Sequence, residues 1–121
     1  MLINFTNHPS NNWSEEQLDA AKVIGEIIDI PFPEIDAYAD ESYLNNLVKE
    51  YADKIKTLNS GKTTTVHIMG ELTFTFAMVS VLQRMGIRCI ASTAERSVTE
   101  IEPGKKQVDF KFVRFRAYPE I

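Results

Sequence analysis

Four short apolar runs punctuate the chain: Leu2–Phe5, Ile27–Ile30, Thr65–Met69 and Ile87–Ala91. Their β-branched content and length suit strands covered on both faces. The longest apolar stretch continues the third run. After Gly70 come Leu72, Phe74, Phe76, Ala77, Met78, Val79, Val81, Leu82 and Met85, which occupy nearly every helical direction. Such a helix has no wide polar side, so it is expected at the centre of the molecule, with Gly86 as its stop.

The other helices are amphipathic. Ser14 with Gln17 matches a capping box and Trp13 with Leu18 a hydrophobic staple, which predicts a helix from near Ser14 to Gly25. Asp40 is suited to cap a second helix, in which Leu44, Leu47, Val48, Tyr51, Ile55 and Leu58 share one face. Pro31-Phe32-Pro33 ends the second strand, and Asn59-Ser60-Gly61 ends the second helix.

After the fourth strand, Ser92 to Arg96 reads as a loop. Pro103-Gly104 suits the middle of a type II turn, so a hairpin follows. Its return arm, Val108 to Tyr118, alternates through Val108, Phe110 and Phe112 and then switches parity at Val113 and Phe115. A β-bulge near Phe112-Val113, or burial on both faces, would account for that switch.

The order β-α-β-α-β-α-β plus an antiparallel arm predicts an α/β fold: a Rossmann-like, three-layer α/β/α domain spanning residues 1–121. Its sheet is mostly parallel with a C-terminal antiparallel hairpin strand; right-handed crossovers place helices on both faces, and a switch point between the first and third strands would give the order 2-1-3-4-5.

Composition narrows the function classes. The 121 residues are 44% hydrophobic, enough for one core and too few for a second ordinary domain. The opening Met1-Leu2-Ile3-Asn4-Phe5 lacks signal-peptide features and no apolar run reaches membrane-spanning length, so a cytoplasmic protein without membrane contact is expected. A formal charge of −4 argues against long nucleic acid as a partner. The charge is uneven: residues 1–53 carry eleven acids against two lysines, and residues 54–121 carry eleven Lys or Arg against six acids. That leaves room for a local anion site. The single cysteine, Cys89, sits within an apolar strand and reads as a buried structural thiol. Two separated histidines and one cysteine make no metal cluster, so no metal and no cofactor are expected.

In open α/β sheets, ligands bind beyond the carboxyl ends of the strands. This rule selects three segments: Asn7-His8-Pro9-Ser10, Gly70-Glu71, and Ser92-Thr93-Ala94-Glu95-Arg96. Together they carry groups able to hold a phosphate or sugar. His8 is the acid/base candidate, although a histidine before proline can equally bond within its own turn. His67, inside the central strand, reads as a satisfied core histidine. Arg96 could grip phosphate, or bridge Glu95, Glu100 or a neighbouring subunit. Glu71 suits the positive end of a helix dipole, and a nucleophilic role is the sharper alternative. Trp13 is accounted for by the staple, with stacking on a nucleobase as the alternative. Gly61-Lys62-Thr63 is no P-loop, because it precedes a strand and Lys56 stands where the first glycine is required.

The segments NFTNHPSNNW, HIMGELTFTF, STAERSVTE and FKFVRFRAY together resemble the small CRISPR-associated proteins of the Rossmann-like CARF and ring-nuclease group. The resemblance implies a homodimer that binds a cyclic oligoadenylate, or another small nucleotide, above the carboxyl edge of the sheet. It also implies metal-independent cleavage by a ribose 2′-hydroxyl. On that basis His8 would move the proton, and Asn7, Ser10, Gly70, Glu71, Ser92, Thr93, Glu95 and Arg96 would form the ligand-binding edge. Three other readings stay open. One is a nucleotide-sensing module without catalysis. Another is a nucleoside or nucleotide glycosidase or transferase using Glu71. The last is a structural protein whose aromatic final strand, with Phe112, Phe115 and Tyr118, makes an interface.

Overall fold

The computed structural model describes residues 1–121. Its elements in chain order are β1 (Leu2–Thr6), α1 (Glu15–Ile24), β2 (Ile27–Asp29), α2 (Glu41–Leu58), β3 (Thr65–Met69), α3 (Leu72–Arg84), β4 (Arg88–Glu102) and β5 (Lys105–Ala117). One sheet of order β2-β1-β3-β4-β5 holds all five strands. The first four are parallel and β5 runs antiparallel to β4. This is the expected Rossmann-like α/β fold with the expected strand order.

The sheet divides two cores by strand parity. Ile3, Phe5, Val66, Ile68 and Cys89 face α2 and α3, where they meet Val48, Ala52, Ile55, Phe74, Met78 and Leu82. Leu2 and Ile90 face α1 on the opposite side, with Trp13 and Ala21. Capping follows the sequence signals. The Ser14 side chain accepts a hydrogen bond from the Gln17 amide at 3.2 Å, and Asp40 accepts from the Tyr43 amide at 3.1 Å. These bonds satisfy N–H groups that a helix's own ladder leaves open.

Two expectations are corrected. Ser92 to Arg96 is not a loop but the middle of β4, which runs unbroken to Glu102. The segment holds no glycine or proline, and β5 supplies ladder partners from Ile90↔Ala117 to Glu102↔Lys105. The resulting hairpin extends past the end of β3, whose pairing with β4 stops at His67↔Ile90. Gly104, with φ of 83°, makes its turn.

The second correction concerns α3. It packs on α2, β3 and β4 but keeps a solvent face, leaving Leu72 84% and Phe76 79% exposed. The apolar residues around its full circumference exceed what one domain of this size covers.

The parity switch in β5 is a bulge. Thr93 pairs with Arg114 and Ala94 with Phe112, so Val113 is the extra residue. Because of it, Phe112 and Phe115, three positions apart, lie on one face of the sheet. It is the face of Ile90 and α1, and Phe110, paired with Arg96, lies on it too.

Candidate functional site

A cavity of about 830 Å³ opens on the α1 side of the sheet, beyond the carboxyl ends of β1 and β3. The chain builds it from four places. The loop after β1 gives Asn7 and His8, and the start of α1 gives Trp13, Ser14, Glu16 and Gln17. The end of β3 gives His67, Met69 and Gly70. The hairpin gives Ser92, Ala94 and the Phe110–Phe112 segment. Its size is that of small-molecule sites.

Beneath it lies a polar network on an otherwise apolar sheet face. Asn4 of β1 is adjacent to His67 of β3, and both are almost fully buried. Asn4 Nδ2 donates to the His8 carbonyl at 2.8 Å and to Asp29 Oδ1 at 2.8 Å. Asn4 Oδ1 receives the Thr6 hydroxyl at 2.9 Å and stands 3.0 Å from His67 Nδ1. The His8 carbonyl also accepts from Trp13 Nε1 at 3.0 Å, and the His8 amide donates to Thr6 Oγ1 at 3.1 Å. The backbone at His8 is therefore pinned from several sides while its imidazole stays exposed at the cavity.

Electrostatics separates the two histidines. Burial, reinforced by the charge of nearby His8, lowers the His67 pKa to about 4, so that ring is neutral near pH 7. Asp29 behaves oppositely. Burial alone would raise its pKa, but hydrogen bonds from Asn4 and from the Ser10 hydroxyl and amide outweigh it and lower the pKa.

Of the expected site residues, the structure gathers Asn7, His8, Gly70 and Ser92 at the cavity. It does not bring the others there. Ser10 is turned to β2, its hydroxyl donating to Asp29 Oδ2 at 2.7 Å. Thr93 and Glu95 alternate onto the opposite face of the hairpin, and the Thr93 hydroxyl donates to the Arg114 carbonyl at 3.2 Å. Arg96 lies on the cavity face opposite Phe110, beyond the lining residues.

Glu71 caps α3, accepting from the Phe74 amide at 2.8 Å and the Thr73 hydroxyl at 2.6 Å. The Thr73 and Phe74 bonds lower its pKa. It lines a separate depression with Asp36, Tyr43 and Thr73. Gly70 also has a packing duty, since a Cβ there would overlap the Phe32 ring.

Cys89 is 1% exposed and burial pushes its thiol up to about 12, which fits the structural reading. No group of three or more His, Cys, Asp or Glu is placed to hold a metal ion. No helix is long and apolar enough to cross a membrane.

Sequence reasoning passed over His67, Gln17, Phe110 and Phe112 as cavity-lining groups. The available signals were the paired polar residues Asn4 and His67 inside buried strands, and the parity switch that turns the β5 aromatics onto one face.

The model of the uncharacterized protein MJ1673 family matches residues 1–116, and the chain belongs to that family. No curated protein and no solved structure matches the chain.

Proposed function

We propose that this member of the MJ1673 family binds a small nucleotide in the cavity above β1 and β3, with a cyclic oligoadenylate as the ligand that the sequence resemblance implies. The observation that carries the reading is the convergence of Asn7, His8 and Ser92 with Trp13 and the hairpin aromatics around one space at the strand ends. Aromatic walls suit base stacking, and amides and hydroxyls suit base edges and sugars. The cavity would take part of a ring-shaped ligand. A second copy of the chain would take the rest.

In its enzymatic form the reaction is metal-independent. A ribose 2′-hydroxyl attacks the adjacent phosphorus, its proton leaves to a base, and the 5′-oxygen of the next nucleotide departs with a proton. This yields a 2′,3′-cyclic phosphate and a free 5′-hydroxyl. His8, whose imidazole is exposed at the cavity on a fixed backbone, would give or take that proton. Its neighbours Asn7 and Ser92 hold the sugar and phosphate oxygens.

Incubation with cyclic tetra- and hexa-adenylate, with and without chelator, tests both parts. Binding with chelator-insensitive cleavage is the expected result. Binding without products assigns a nucleotide sensor. Absence of both sinks the nucleotide reading.

A further inference from the structure

His67 has one side of its ring hydrogen-bonded and the other unpaired. Asn4 Nδ2 already has two acceptors, the His8 carbonyl and Asp29 Oδ1, so the amide oxygen is the atom that faces His67. An amide oxygen only accepts, so Nδ1 carries the proton and Nε2 holds a bare lone pair. That Nε2 is buried and has no hydrogen-bond partner, although His67 is 2% exposed and lines the cavity. An acceptor shut away without a donor costs about 1–3 kcal/mol, and native structures pair nearly all such groups with protein, water or ligand.

What could supply the donor is limited by the surroundings. Trp13 lies 5.4 Å from the imidazole and Phe115 5.2 Å, both steeply tilted to its plane, with Phe112 5.1 Å from Phe115. Phe110 and Phe112 form the facing wall. An aromatic lining with one unpaired neutral acceptor suits a flat ring presenting a donor edge. A puckered, hydroxylated sugar would strand its other polar groups against those rings.

We propose that a 6-aminopurine ring enters between Trp13 and the Phe110–Phe112 wall and donates its amino N–H to His67 Nε2. The assignment rests on the nucleotide reading of the cavity and adds a specificity-determining residue to it. A 6-oxo purine would set a carbonyl lone pair against the Nε2 lone pair, and an unsubstituted purine would leave Nε2 unpaired. Burial and the nearby His8 keep the ring neutral, preserving its acceptor. Asn4 sets the tautomer, so it acts as a positioning residue for this contact.

Trp13 is the single tryptophan of the chain, so its fluorescence reports entry. The test compares a linear tetra-adenylate with tetra-inosinate and with the oligomer of unsubstituted purine riboside, all of equal length and charge. Adenylate is expected to bind at least tenfold more tightly than either. In His67→Phe, checked for cooperative unfolding, the three are expected to bind alike. Imidazole ¹⁵N spectra of the wild-type protein should show Nδ1 protonated throughout and a shift at Nε2 only with adenylate. Equal wild-type binding of the three oligomers, or an Nε2 resonance unmoved by adenylate, overturns the His67 assignment while leaving the nucleotide site standing. Fluorescence unchanged by all three overturns the nucleotide reading as well.

Discussion

The side-chain oxygen of Asn4 stands 3.0 Å from Nδ1 of His67, and this contact joins two adjacent strands beneath the cavity. The same Asn4 amide ties the His8 carbonyl and Asp29, so one short side chain links β1, β2, β3 and the loop that carries the acid/base candidate. Asn4→Ala would leave His67 Nδ1 without its acceptor and two oxygens short of a donor. A loss of about 2–4 kcal/mol in unfolding free energy is expected, measured by urea denaturation. A change under about 0.5 kcal/mol, the scale of an ordinary surface substitution, would contradict the network.

The depressed pKa of His67 couples stability to pH. The folded ring titrates at about 4 against 6.5 for an ordinary histidine. Between those values the unfolded chain binds a proton that the folded chain does not, so stability falls as pH drops through the window. The loss should reach about 3 kcal/mol by its lower end. Asp29 acts in a lower range: its folded pKa lies below 3.8, so its contribution is present above that value and is lost as pH falls beneath it. Urea midpoints from pH 7 to pH 4 should therefore decline for the wild-type protein and decline less for His67→Phe. Parallel profiles for the two would sink the assignment.

The fold was largely legible because its signals are local. The Ser14 and Asp40 caps, the Gly86 stop and the Pro103-Gly104 turn each act within a few residues, and crossover handedness sets which face each helix covers. The site was less legible because its residues are joined by pairing across the sheet. Nothing local marks His67 as Asn4's neighbour; that follows from the β1–β3 register. The bulge at Val113 was visible as a parity switch, yet its consequence, three phenylalanines turned toward α1, needed the β4 partner strand. Ser92 to Arg96 read as a loop because a strand's end is defined by where pairing stops, and β5 carries that pairing much farther than β3 does.

His8 offers the direct test of catalysis. Its backbone is held by bonds that do not involve the imidazole, so His8→Ala removes the proton-transfer group while the loop keeps its anchors. Cleavage of a cyclic oligoadenylate is expected to slow about 10²-fold or more, with binding nearly unchanged. A variant that cleaves at the wild-type rate would assign the proton transfer to another group.

Glu71 separates the nucleotide-cleavage reading from the glycosidase or transferase alternative. Its carboxylate is committed to the Phe74 amide and the Thr73 hydroxyl, in a depression apart from the cavity. Glu71→Ala should cost about 1 kcal/mol as a lost helix cap. Glu71→Gln should leave any phosphodiester cleavage intact. Free base released from a nucleoside by the wild-type protein, and abolished in Glu71→Gln, would favour the alternative.

Leu72 and Phe76 test the pairing of two copies. Both project from α3, one turn apart and largely uncovered, on a helix whose apolar residues run around its circumference. Charged replacements at such exposed positions should change the stability of a lone chain by no more than about 0.5 kcal/mol. In a homodimer docked through this face the same replacements would bury two unpaired charges in each copy, a cost large enough to dissociate it. Sedimentation across a concentration series should thus give a dimer for the wild-type protein and a monomer for the Leu72→Asp, Phe76→Asp double variant, with urea midpoints for the variant independent of concentration. A wild-type protein that sediments as a monomer at every concentration, with and without cyclic oligoadenylate, would exclude the shared-ring arrangement and leave each cavity to a ligand no larger than it can enclose.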